Sequence, residues 1–98
     1  MSYLVFCTFD LKNATSQDYR DAYSDLEGLG LKKVVKSSNG NDVVIPTTAV
    51  MGTFNGKDSG SVRDDMRSRV KSAFQKRGFT SEIFLTASGN WSWGVTTT

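Results

Sequence analysis

Asp10 stands at the end of an apolar run, Tyr3-Leu-Val-Phe-Cys-Thr-Phe-Asp10, and is followed by Leu11 and Lys12. A carboxylate in that place can hold a hard divalent cation through its oxygens, and such an ion can activate water for phosphodiester cleavage. One carboxylate is a poor metal site alone, so this chemistry would need a dimer that pairs two copies of Asp10. The alternative is a turn aspartate bonded to its own backbone. The chain has no histidine and one cysteine, Cys7. That excludes Ser–His and Cys–His nucleophilic pairs, imidazole acid–base catalysis and histidine-bound metals, and it leaves no structural zinc site within one chain. Carboxylates, lysine, arginine, hydroxyls and oxygen-ligated magnesium remain.

A second group is basic. Arg63, Arg67 and Lys71 recur at i, i+4 and i+8 and form one stripe on a helix, with Arg69, Lys76 and Arg77 nearby. Such a stripe is either a phosphate-contact face or a solvated face partly neutralised by Asp64 and Asp65. Lys32, Lys33 and Lys36 make a smaller cluster. The net charge of +2 does not by itself mark a nucleic-acid binder, so any electrostatic footprint must come from local clustering.

The elements that must position these residues follow from periodicity. Tyr3–Asp10 reads as a central buried strand, with Tyr3, Val5, Cys7 and Phe9 on one face and Leu4, Phe6, Thr8 and Asp10 on the other. Thr15 or Ser16 caps an amphipathic helix carrying Tyr19, Ala22, Tyr23 and Leu26, which Gly28 and Gly30 end. Leu31–Lys36 is a lysine-studded strand, Asn39-Gly40 a hairpin signal, and Val43–Ile45 a return arm interrupted by Pro46. Thr47–Phe54 is the next strand. Ser61 and Asp64 resemble a capping box, opening a helix to about Arg77 with Val62, Met66, Val70, Ala73 and Phe74 inward. Thr80–Ala87 is the last strand, with Glu82, Phe84 and Thr86 on one face. Trp91 and Trp93 share one side of an extended tail.

Strand–helix–strand–strand–helix–strand predicts an α+β, ferredoxin-like βαββαβ sandwich: a four-stranded antiparallel sheet in the order 4-1-3-2, with two helices on one face. The 98 residues suit one domain, with a core over 1–90 and a tail over 91–98. No apolar run approaches the ~18 residues of a membrane span, and the first strand is too short for a signal peptide, so a cytoplasmic location is expected. Cys7 suits a reducing compartment as a small core residue. The face without helices carries Leu4, Phe6 and Phe84, which are too apolar to stay wet without a role. A homodimer could bury them, or bases could stack on them. Trp91 and Trp93 either cover the same surface or bridge to a partner.

With Phe9-Asp10-Leu11-Lys12, Asp18-Tyr19 opening the first helix, Val62-Arg63-Asp64 opening the second, and Trp91-Ser-Trp93, the chain resembles the Cas-type small nucleases of CRISPR adaptation and their standalone relatives. It is more distantly similar to GhoS-type antitoxin endoribonucleases. The resemblance covers nearly the whole layout, through short motifs. It implies a dimeric, ferredoxin-like protein acting on RNA or DNA, with Asp10 at the position of the family's metal-binding aspartate and magnesium as the ion. Arg63, Arg67 and Lys71 are then the candidates for positioning phosphates. Two departures stand out: the Ser37–Asp42 hairpin with its Pro46 bend is long for the family, and no second catalytic residue matches. The competing expectation is a non-enzymatic binding module, an antitoxin or a mobile-element accessory protein, docking through Phe6, Phe84 and the Trp91/Trp93 tail.

Overall fold

Alternation in the first strand decides the layering. The computed structural model describes residues 1–98. In it β1 spans Ser2–Leu11, with Tyr3, Val5, Cys7, Phe9 and Leu11 all buried. The other elements are α1 (Ser16–Gly28), β2 (Val34–Lys36), β3 (Asp42–Val44), β4 (Ala49–Asn55), α2 (Ser59–Lys76) and β5 (Ser81–Ser88). β1 is the centre of an antiparallel three-stranded sheet, β4-β1-β5, while β2 and β3 form a separate two-stranded hairpin. The result is a small α+β domain with two helices over one sheet face. No helix is long and apolar enough to cross a membrane.

The expected four-stranded sheet does not form. The strand predicted over Leu31–Lys36 touches β4 only at Lys32, which exchanges two 2.9 Å backbone hydrogen bonds with Met51. One residue later the pairing changes partner, because the Lys33 carbonyl accepts from Ile45 N–H at 2.8 Å. From there Val34 pairs with Val44 and Lys36 with Asp42, and the hairpin peels away from the sheet. Gly40, at φ 85°, supplies the left-handed residue of its turn. Pro46 lacks the N–H that a continuing ladder needs. β4 accordingly begins at Ala49, not Thr47, and runs on to Asn55.

The helices sit where their stripes require. Thr15 caps α1 with a reciprocal box: its hydroxyl accepts from Asp18 N–H at 3.1 Å, and the Asp18 carboxylate accepts from Thr15 N–H at 3.0 Å. The second cap differs from expectation. Asp58, not Ser61, caps α2, its carboxylate accepting from Ser61 N–H at 2.7 Å, so the helix starts earlier and Ser61 lies inside it. Val62, Met66, Val70 and Phe74 are buried at the i, i+4 spacing of one face. Phe9 is the aromatic hub, 5.4 Å from the Phe74 ring, 5.5 Å from Tyr23 and 6.2 Å from Tyr19. Arg77, just past α2, clips the two helices together with a bidentate pair of 2.9 Å bonds to Asp25.

One backbone contact fixes how the α1–β2 connection crosses the sheet. A Cβ placed on Gly52 of β4 would lie 2.0 Å from the Gly30 carbonyl oxygen, and one on Gly30 would meet the Phe54 ring at 3.0 Å. Gly52 therefore lets Gly30-Leu31-Lys32 ride directly on β4. We expect Gly52→Ala to lower unfolding stability by about 1–3 kcal/mol, the usual cost of overpacking a rigid contact. Gly28→Ala, where a Cβ meets nothing within 4 Å, should be neutral or stabilising by up to about 1 kcal/mol. Urea denaturation of the two variants side by side checks the pair.

Candidate functional site

The tight turn after β1 builds a polar cluster at the strand's end. Asn13 takes a left-handed φ of 51°, which brings the capped first turn of α1 back over β1. The Tyr19 hydroxyl thereby accepts from Leu11 N–H at 3.1 Å and donates to Asp10 Oδ1 at 3.2 Å. Lys12 lies two residues beyond Asp10, on the same sheet face. Its ammonium meets Asp10 Oδ2 at 3.2 Å and Glu82 Oε1 at 2.6 Å. Glu82 is the cross-strand partner of Asp10 in the β1–β5 register. Asp10, Lys12, Glu82 and Tyr19 thus form one exposed cluster.

Its electrostatics follow from Lys12. The hydrogen bond and charge of Lys12, with a smaller contribution from Tyr19, hold the Asp10 carboxyl below its ordinary range. Glu82 and Asp10 in turn raise Lys12. The two carboxylates offer the hard oxygens that magnesium takes. However, the lysine ammonium already sits between them, and no third metal-binding side chain completes the set. One protomer does not fit a bound ion without displacing Lys12. Glu82 and Lys12 were not among the sequence candidates. Their signal was present in parity: residues 10 and 12 share a face of β1, and Glu82 shares the open face of β5 with Phe84.

The basic stripe belongs to the other layer. Arg63, Arg67 and Lys71 lie on the exposed side of α2, across the sheet from the Asp10 face. Asp64 ties the first two together, 3.0 Å from Arg63 and 3.2 Å from Arg67, while Lys71 has no ion pair. Arg67 and Lys71 line a shallow cavity of about 350 Å³ against Ser81 and Ile83, at the start of β5. Arg63 does not line it, lying one further turn along the helix, about 6 Å from Arg67.

The open sheet face is half covered by the chain itself. Ala49 and Met51 project to that face, yet each is only 6% exposed. Val43, Ile45 and Pro46 from the hairpin arm, with Trp93 and Val95 from the tail, close over them and over Phe6, leaving a groove of about 430 Å³. Trp93 covers this surface as well as remaining 38% exposed; Trp91 is 39% exposed. Phe84 is the open remainder, 66% exposed and diagonal to Phe6 across the β1–β5 pairing. Cys7 lies at 0% exposure, and burial pushes its thiol up to about 11, so it is no nucleophile at neutral pH.

No protein-family model matches the chain, and no curated protein does.

Because Lys12 holds Asp10 low, Lys12→Met should move the Asp10 titration up toward the ordinary carboxylate range, with the Tyr19 hydrogen bond still lowering it. Carboxyl-detected NMR titration reads this directly. The pair's contribution to stability is present above the ordinary carboxylate range and fades as pH falls through the lowered Asp10 value. Lys12→Met should therefore lose a small part of the acid limb in a denaturation series against pH, small because the group is exposed.

Proposed function

We propose that this chain is a small nucleic-acid-associated binding module, homodimeric through the open face of its sheet. It is built on a ferredoxin-like sandwich whose outer strand is reduced to the Lys32–Met51 pairing. Phe84 carries the reading: a large ring 66% exposed on a sheet face already apolar at Leu4 and Phe6. Two copies meeting there remove the patch from water and leave both helical layers outward. α2 then presents Arg63, Arg67, Arg69, Lys71 and Lys76 against only Asp64 and Asp65, a cationic outer surface suited to a phosphate backbone. The resemblance to the small nucleases of CRISPR adaptation points the same way, as does the reading of the chain as cytoplasmic. Sedimentation should give a dimer that Phe84→Glu converts to monomer. RNA binding by fluorescence anisotropy should weaken with salt, and Arg67→Glu with Lys71→Glu should lower the log–log slope by about 0.7–0.9 per cation lost. A monomeric wild type, or binding to RNA and DNA that does not respond to salt, would overturn the reading.

The second reading, a magnesium-dependent endoribonuclease, rests on Asp10 and Glu82 facing each other at the sheet's end. It requires Lys12 to leave its place between these carboxylates and the two Asp10 carboxylates of a dimer to lie near enough to share an ion. Its expected signature is RNA cleavage that chelation stops and Asp10→Asn abolishes. Cleavage surviving either treatment rules it out.

A further inference from the structure

β5 has one free edge, and that edge is unprotected. The β1–β5 ladder continues through Lys12 N–H to Thr80 C=O at 2.9 Å, so the even-numbered residues of β5 spend their backbone groups on β1. The N–H and C=O groups of Ser81, Ile83, Leu85 and Ala87 point away from the sheet. None of the chain's other backbone hydrogen bonds uses them. The strand is eight residues long, with no proline, no lysine and Glu82 as its only charge. Natural edges are usually blunted by just such residues, by a bulge or by a covering segment. The opposite edge of the sheet shows the contrast, since Lys32 pairs with it there.

We infer that the β5 edge is a docking site for an extended acidic peptide that adds to the sheet as a further strand. The repeating donors and acceptors of Ser81, Ile83, Leu85 and Ala87 match polypeptide backbone, not a sugar-phosphate chain. On the helix side of the edge, the cavity beside Ser81 and Ile83 is lined by Arg67 and Lys71. On the open side stand Phe84 and Glu82. An added strand alternates its side chains between these two sides. Carboxylates would meet Arg67 and Lys71 on one side. Apolar residues would lie along the open side beside Phe84, continuing the apolar face that the proposed dimer buries, while Glu82 repels acids there. The same cations argue against a second copy at this edge. Two-fold pairing of β5 with β5 would set α2 beside its equivalent, with Arg67 and Lys71 of both copies turned to one seam. An acidic strand would also occupy cations that the proposed function assigns to phosphates, so it is expected to compete with nucleic acid.

The test uses four synthetic eight-residue peptides with the full chain: alternating Asp/Val, alternating Lys/Val, and two Asp/Val peptides N-methylated at every second residue, one in each phase. The Asp/Val peptide should bind at least tenfold more tightly than Lys/Val by calorimetry. One phase of N-methylation should abolish binding and the other should not. The amides of Ile83, Leu85 and Ala87 should gain hydrogen-exchange protection on binding. Lys71→Glu with Arg67→Glu, both at exposed helix positions that leave the core intact, should reverse the peptide preference. Equal binding of the two peptides, indifference to both methylation phases, or no new protection at the three amides would overturn the proposal. Concentration-dependent self-association that protects those amides without peptide would overturn it in favour of a second copy. Peptide binding is read without nucleic acid, so its failure and a failure of RNA binding are separable.

Discussion

Side chains on β1 alternate, and that single constraint orders the whole molecule. Burying Tyr3, Val5, Cys7, Phe9 and Leu11 beneath two helices commits Leu4, Phe6, Thr8 and Asp10 to the opposite face. A one-residue slip would exchange the two sets, so the register of β1 is strongly held. Phe9 anchors it, with Tyr19, Tyr23 and Phe74 around its ring. The consequence for function is direct. The charged end of the strand and its apolar middle emerge together on the uncovered side, next to each other and next to Glu82 and Phe84 of β5.

What happens to that uncovered side depends on where the chain leaves the sheet. Because the Lys33 carbonyl turns to Ile45, the β2–β3 hairpin is free to fold its return arm toward Met51 and Phe6. Trp93 and Val95 complete the cover from the tail. The same departure takes away the fourth strand that would have flanked β4. The molecule thereby exchanges sheet width for a partial lid over its own apolar face. Phe84 and the outer edge of β5 lie beyond the reach of that lid.

Much of this was legible in the sequence, and the misses have physical causes. The alternation in β1, a cap at Thr15 or Ser16 (Thr15 in the fold), the Asn39-Gly40 turn and the inward stripe of α2 are local patterns, and each appears where the local sequence places it. The four-stranded sheet failed because strand partnering is non-local. Nothing in Leu31–Lys36 itself says that Lys33 will pair with Ile45 instead of β4. The second cap failed because Asp58 and Ser61 are both competent N-caps, and only the path of the preceding loop chooses between them. Asp10 stood out in the sequence alone, without the cluster around it. Its neighbours Lys12 and Glu82 become partners only once the β1–β5 register is set, which depends on α2 returning the chain beside β1.

The placement of charge around β5 joins these threads. On the open side of the strand, Lys12 sits between Asp10 and Glu82 and serves as a counter-ion built into the fold, leaving one net negative charge among the three. On the helix side, Asp64 is shared between Arg63 and Arg67, and Lys71 has no partner, so the balance there is positive. β5 therefore runs between a basic strip on the helix side and an open strip that carries one net negative charge at its Asp10, Lys12 and Glu82 end, with an unpaired backbone edge along it. Opposite strips on the two sides of an alternating strand distinguish the two faces of whatever lies alongside. Coulombic preference at such exposed sites is modest and screened over roughly 8 Å at physiological salt. Discrimination thus has to come from contacts made within about one side-chain length of the edge. Backbone pairing enforces that closeness, while diffuse attraction to a polyanion does not. The edge and the two strips belong to one recognition surface for this reason: without the ladder the charges are too screened to select, and without the charges the ladder would accept any strand.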